Sequence, residues 1–243
     1  MLQYLVNFFY PPRCAGCGSR LGPETVRRVC APCLDRIERL DEPLCAVCGL
    51  PIDGAARESG EWCMRCSQSP PHFGKARAIT RYRPGHDDEN STVPSIIRRH
   101  KYGLDQSLAL ALAECLGDKL PFADEDYDIV IPVPLHRGRL RWRGFNQAAL
   151  LASAVARRLE RPLDVTTLVR MRATPPQTSA DHNERRLNVR RAFTVKRPAR
   201  VANRRVLLID DVMTTGATVD ECARTLLAAG ARRVDVLTLA RVV

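Results

Sequence analysis

Val206-Leu-Leu-Ile-Asp-Asp-Val-Met-Thr-Thr-Gly-Ala-Thr218 opens on four apolar residues, sets two carboxylates side by side at Asp210 and Asp211, and ends in a small, hydroxyl-rich turn. The apolar run predicts a short buried strand with both acids at its carboxyl end. Val219 to Ala229 has the apolar spacing of a helix that stops at Gly230. A strand, tight turn and helix in that order leave backbone N–H groups open at the helix N-terminus. Those amides and the helix dipole suit a phosphate dianion. Thr214, Thr215, Gly216, Ala217 and Thr218 are small enough to let a phosphate approach, and the threonines add hydroxyl donors. The carboxylates narrow the ligand further. Two anions would repel a bare polyphosphate unless they face hydroxyls or a bridging metal, and a sugar phosphate with a ribose diol meets that condition.

The chain has 243 residues, room for one sizeable domain and an appendage. It contains no run of eighteen apolar residues, so no membrane span is expected. The apolar Met1 to Tyr10 lacks a basic start and a small-residue cleavage site, which predicts a packing helix rather than a signal peptide. Eight of the ten cysteines fall in C-x-x-C pairs, a pattern that points to metal in a reducing, cytoplasmic setting. The formal charge of +11 is unevenly placed: residues 1–72 balance, and residues 73–243 carry the whole excess. Positive potential there attracts polyanions.

Cys14/Cys17, Cys30/Cys33, Cys45/Cys48 and Cys63/Cys66 form four knuckles in residues 1–72. Two knuckles complete one tetrahedral four-thiolate site, so eight ligands imply two structural zinc ions. Pairing in sequence gives a double zinc ribbon; pairing first with third and second with fourth gives a cross-braced unit. Gly18 and Gly49 directly follow two knuckles, where a positive φ is often needed. A segment this short buries little core unaided, so metal is expected to supply its folding energy. Cys115 and Cys222 sit in apolar helical contexts and read as buried bystanders.

Residues 73–243 alternate strand and helix signals, which predicts a doubly wound, mostly parallel α/β sheet. Strands are expected at Ala76 to Tyr82, Tyr127 to Ile131, Val165 to Arg170 and Phe193 to Lys196, with Arg233 to Val242 closing the sheet. Helices are expected over Asp105 to Leu120, Asn146 to Leu159 and Asp181 to Val189. After the second strand, Pro132 to Gln147 reads as a loop whose alternating Arg137, Arg139, Arg141 and Arg143 suit a pyrophosphate at a strand's carboxyl end.

The Asp210 to Thr218 stretch resembles the phosphoribosyl-pyrophosphate (PRPP) signature of type I phosphoribosyltransferases. With the knuckles, His100-Lys-Tyr102, Pro132-Val-Pro-Leu-His136, Arg143-Gly-Phe-Asn-Gln147, Arg170 to Gln177, Arg185-Arg-Leu-Asn-Val189 and Phe193, nearly the whole chain is similar to the ComF (also GntX) family. That family joins a zinc-finger unit to a phosphoribosyltransferase domain and is linked with competence for DNA uptake. The acidic insertion Asp87-Asp-Glu89 departs from its pattern.

The resemblance implies transfer of a phosphoribosyl group from PRPP with Mg²⁺. Asp210 and Asp211 would hold the ribose hydroxyls and order Mg²⁺ through water. Thr214, Thr215, Gly216, Ala217 and Thr218 would hold the 5′-phosphate. Pro134, Leu135, His136, Arg137, Lys101 and Arg170 would meet the pyrophosphate end, and the loop 171–180 would close over the site. His136 reads either as an acceptor contact or as a structural hydrogen-bonder. A second reading is a non-catalytic PRPP sensor whose partners are single-stranded DNA or a competence helicase-type protein.

Overall fold

A computed structural model describes residues 11–22, 28–40, 43–52, 61–82, 92–93, 96–97, 111, 113–116, 120–122, 126–173 and 187–243. In chain order the principal elements are α1 (Ala31–Asp35), α2 (Met64–Gln68), β1 (Ala76–Tyr82), β2 (Ile129–Pro132), α3 (Arg137–Arg143), α4 (Gln147–Arg158), β3 (Leu168–Arg170), β4 (Phe193–Val195), β5 (Arg205–Met213), α5 (Ala217–Ala228) and β6 (Arg233–Val242). Four strands form a parallel sheet in the order β1-β6-β5-β2, and β3 pairs antiparallel with β4 as a small separate hood.

The sheet is apolar on both faces because helices cover both, as a buried parallel sheet requires. Alternate side chains of β5 point opposite ways. Val206 and Leu208 share a core with Val219, Cys222 and Leu226 of α5. Leu207 and Ile209 share another with Leu151, Ala152 and Val155 of α4. The doubly wound architecture expected from the sequence is therefore the one formed.

Two details of the sheet differ from expectation. β6 does not close an edge; it lies between β1 and β5, bonded to both. And β5 does not end before the acids. Its pairing with β6 continues to Met213 opposite Arg241, whereas its pairing with β2 stops at Ile209 opposite Pro132. Asp210 and Asp211 thus lie on a stretch of β5 that projects beyond its shorter neighbour, with one ladder edge open to the cleft.

The arginine-rich segment expected as a loop is the helix α3. It has no buried residue, so its ends make it: His136 Nδ1 accepts the Gly138 N–H at 3.2 Å, and Gly144 closes it with φ 77°. α4 begins where predicted, with Asn146 as N-cap.

Both cysteine units pack directly on the sheet. The first joins the α4 face, where Cys14 and Cys33 meet Ile79, and Thr92 Oγ1 donates to the Cys33 carbonyl at 2.9 Å. The second joins the α5 face, with Cys45, Cys48, Cys63 and Cys66 in the core that contains Val234 and Val236. The Ala76 N–H donates to the Val47 carbonyl at 2.6 Å, and a Cβ on Gly49 would come within 2.5 Å of the Ala76 carbonyl oxygen. Met1 to Tyr10, the 87–89 insertion, the segment carrying Lys101, most of the helix predicted from Asp105, and residues 174–186 lie outside the described residues.

Candidate functional site

The four knuckles assemble in sequence. Cys14, Cys17, Cys30 and Cys33 bring their sulfurs together in one group, and Cys45, Cys48, Cys63 and Cys66 in another, all within 4.8 Å of each other in each. The sequential alternative is the one formed, and the cross-braced pairing is not. Sulfur separations of 3.8 Å (Cys17–Cys30) and 3.7 Å (Cys48–Cys63) match the edge, roughly 3.8 Å, of a tetrahedron with Zn–S bonds of about 2.3 Å. Backbone N–H groups of Cys30 and Cys63 donate to the sulfurs of Cys14 and Cys45, each at 3.3 Å. Burial works to raise the Cys45 thiol, but the N–H groups of Cys63, Cys48 and Val47 prevail and bring it down to about 7. Four thiolates with no open position make these structural zinc sites. Gly18 and Gly49 take φ of 76° and 64°, as their places after the knuckles require. Burial pushes Cys115 up to about 12 and Cys222 well above the ordinary thiol range, which leaves both inert.

Residues of α3, α4, β3 and the projecting end of β5 line an open cleft of about 510 Å³. Arg139 and Arg143 of α3, Arg170 of β3, Gln147 of α4, and Asp210 with Asp211 line it, together with Pro134, Leu135, Trp142, Asn146 and Thr218. Burial lowers the pKa of the Arg170 guanidinium, and repulsion from Arg139 adds to this; Asp210 opposes both. Burial and then Arg143 likewise lower Arg139. The arginines stay protonated, so this wall of the cleft is a set of crowded, partly desolvated cations. Arg170 is held over the Phe193 ring at 5.3 Å, one residue-pair deep in the β3–β4 hood. Buried Gln147 presents an Nε2 with no hydrogen-bond partner among the described residues.

The loop before α3 is braced by Asn146, whose Nδ2 donates to the Val133 carbonyl at 3.0 Å while its Oδ1 caps α4. On β5, Asp210 Oδ1 accepts the Asp211 N–H at 2.9 Å, and Asp211 Oδ1 accepts the Val212 N–H at 2.8 Å. Each acid is thus oriented by the next backbone amide.

The structure brings eight of the residues named from the sequence to this cleft: Asp210, Asp211, Arg170, Pro134, Leu135, Thr218, Arg139 and Arg143. Thr215, Gly216 and Ala217 line a different cavity of about 30 Å³, shared with Cys48 and Cys66 of the second zinc site. The Thr214 carbonyl accepts from Arg241 Nη1 at 2.9 Å. His136 and Arg137 are not among the residues lining the cleft; His136 serves as the cap of α3, the structural alternative of the two weighed for it. Lys101 lies outside the described residues. Trp142, Asn146 and Gln147 were missed as lining residues, and that Arg139 and Arg143, already named for a pyrophosphate, share a face with them was missed too. Their spacing of three and four was the available signal, masked because the segment had been read as a loop.

The fold and these two kinds of site define a double zinc ribbon joined to a phosphoribosyltransferase-type domain. A double zinc ribbon domain model matches residues 5–67, and a phosphoribosyl transferase domain model matches residues 146–242. The DNA utilization protein YhgH of Escherichia coli O157:H7 is 34% identical over 224 residues, covering 88% of this chain and 90% of that protein. Competence protein F of Haemophilus influenzae is 31% identical over 249 residues, covering 98% and 100%. The chain belongs to this family, the ComF family, as the sequence motifs indicated. Among solved structures, the adenine phosphoribosyltransferase of Thermoanaerobacter pseudethanolicus is similar at 16% identity, with a TM-score of 0.32, over 70% of this chain and 92% of that one.

Proposed function

We propose that this protein binds PRPP with Mg²⁺ and catalyses transfer of its phosphoribosyl group, with residues 73–243 carrying the chemistry and residues 1–72 bracing it. The observation that carries the reading is that one cleft is lined by both kinds of charge, Arg139, Arg143 and Arg170 together with Asp210 and Asp211. Crowded cations suit a pyrophosphate, and adjacent carboxylates suit a vicinal diol. Substitution at the anomeric carbon makes the ribose ring cationic while the leaving pyrophosphate gains negative charge. Preorganised guanidiniums and carboxylates placed on those two ends lower the barrier to that separation. Asp210 and Asp211 orient the ribose hydroxyls and are the residues to hold Mg²⁺ through water, where the ion would neutralise pyrophosphate oxygens. Arg170 and Arg139 meet the leaving group, Gln147 offers its unpartnered amide to an acceptor oxygen, and Thr218 stands at the phosphate end.

The test is calorimetric titration of PRPP with Mg²⁺, followed by assay of pyrophosphate release. Asp210→Asn and Asp211→Asn keep shape and remove charge. Losing a charge-assisted hydrogen bond of roughly 1.5–3 kcal/mol should weaken PRPP binding or turnover about ten- to a hundredfold each. If the folded double variant binds PRPP as the parent does, the cleft is not a PRPP site.

A second reading has one specific observation in its favour. Trp142 stands 64% exposed on α3 at the cleft mouth, with Arg143 6.0 Å from its ring. An aromatic face among arginines suits stacking of bases from a single strand. Such binding should fall steeply with salt and be weakened by Trp142→Ala; affinity indifferent to both removes this reading.

A further inference from the structure

Arg241 heads the fully buried side chains by size, at 1% exposure on a β6 segment whose neighbours Leu239 and Ala240 are apolar. A buried guanidinium without counter-charge is costly, so its surroundings must account for it. One nitrogen, Nη1, donates to the Thr214 carbonyl at 2.9 Å. The guanidinium also faces Cys48 and Cys63 of the second cysteine cluster, with Arg65 as a like-charged neighbour. Its Nε has no hydrogen-bond partner among the described residues. A zinc ion held by four thiolates is a doubly negative centre, and that centre is the counter-charge Arg241 requires.

The same cluster touches the turn directly. The cavity of about 30 Å³ is walled by Cys48 and Cys66 on one side and by Thr215, Gly216 and Ala217 on the other. His72, just beyond that ribbon, donates its N–H to Asp220 Oδ1 in the first turn of α5 at 2.6 Å. The first cluster is placed differently, in the core on the α4 face. In a trans peptide the Thr214 carbonyl and the Thr215 N–H point opposite ways. Fixing the carbonyl on Arg241 therefore turns the Thr215 N–H to the side away from Arg241.

We infer that Arg241 is a strut through which zinc in the second cluster sets the turn 214–218, so that this zinc and a phosphoribosyl ligand bind cooperatively. Loss of that metal dissolves the anionic neighbour of Arg241 and releases the Thr214 carbonyl. The ligand half of the inference rests on the PRPP reading above; the strut half stands without it. By linkage, PRPP raises zinc affinity at the second cluster by the factor by which that zinc raises PRPP affinity.

The experiment measures amide hydrogen exchange across residues 213–218 in the full-length protein, zinc per chain, melting temperature, and PRPP binding with Mg²⁺. Arg241→Met should keep both zinc ions and lose about tenfold in both protection of the turn and PRPP affinity, with Arg241→Lys recovering part of each. Cys45→Ser, which empties the second site, should give the same losses, and combining it with Arg241→Met should add little, since both break one connection. Cys17→Ser should leave the turn unchanged. Arg241→Met with two zinc ions and a turn that exchanges as in the parent overturns the strut, as do fully additive losses. If Arg241→Met does not fold, the lysine and Cys45→Ser variants decide in the same way. A parent that binds no PRPP overturns the functional reading of the cleft, and the exchange measurements still judge the strut.

Discussion

Asp164 and Arg170 show how differently two half-hidden charges are treated in one molecule. Asp164 sits in the turn between α4 and β3, where its Oδ1 accepts from the Thr166 N–H (2.8 Å), the Thr166 hydroxyl and the Thr167 N–H, and its Oδ2 from the Thr167 hydroxyl (2.7 Å). Burial works to raise its pKa, but those donors outweigh it and hold the carboxyl at about 2. A depressed folded pKa stabilises above the ordinary aspartate value, and the stabilisation disappears as pH falls through about 2. The shift corresponds to about 2 kcal/mol. The stability difference between the parent and Asp164→Asn in urea unfolding should therefore be full at pH 6 and shrink between pH 4 and pH 2. A difference unchanged over that range would show that the hydrogen bonds are not what Asp164 contributes. The zinc sites also lose metal in acid, which is why the difference between the two proteins is the quantity to follow. Arg170 has the opposite treatment. Burial and Arg139 both work against its charge, Cys222 and Asp210 work for it, and the Phe193 ring lies beneath it at 5.3 Å.

The elements show which signals a sequence carries and which it hides. β1 and β6 were legible to the residue, Ala76–Tyr82 and Arg233–Val242, from apolar residues closely spaced between polar ones. α4 was legible as a helix starting at about Asn146, which the structure shows to be its cap. α3 was not, because it buries nothing, and a helix without an apolar stripe leaves no hydrophobic periodicity to read, only the spacing of its polar residues. With α3 mistaken for a loop, Arg139, Trp142 and Arg143 could not be placed on one face. The end of β5 was hidden for another reason. How far a strand runs depends on its neighbour, and β6 extends past the acids while β2 does not. The two glycines of the βαβ unit give a test of the element that resulted. Gly216 caps α5 with φ 82°, and Gly230 follows it with φ 94°. Alanine in a left-handed conformation costs roughly 1–2 kcal/mol, so Gly216→Ala and Gly230→Ala should lower stability alike. A Cβ at Gly216 also meets Met213 Cε at 2.8 Å, at the 214–218 turn, whereas one at Gly230 meets only Ala202 at ordinary contact. Only Gly216→Ala should then weaken PRPP binding. Equal effects on binding would mean that the turn does not touch the ligand.

At the scale of the whole molecule, the question is whether the zinc unit and the sheet are two bodies or one. The cysteine pattern suggested an appendage on a larger domain. The packing instead distributes the two ribbons over the two faces of a single sheet, the first with Ile79 and Leu239, the second with Val234 and Val236. Arg77 Nη1 reaches the carbonyls of Ala46 and Ala76, at 3.2 and 2.9 Å, so one β1 side chain is bonded on both sides of that boundary. Cores shared in this way make neither part stable without the other, since removing a ribbon uncovers the sheet face beneath it. The chain holds two tryptophans, and they report separately: Trp62 lies beside Cys63 in the second ribbon, and Trp142 lies on α3 at the cleft. In Trp142→Phe the fluorescence follows the ribbon, and in Trp62→Phe it follows the cleft. Unfolding of the zinc-loaded protein by denaturant should show one transition, with the same midpoint from both reporters, as two-state unfolding requires. Cys33→Ala, which disturbs the first metal site and leaves the cleft residues intact, should move the Trp142 midpoint as far as the Trp62 midpoint. Were the ribbon to unfold at lower denaturant while Trp142 kept its native signal, the zinc unit would be an independent domain, and the bracing role given to it here would be lost.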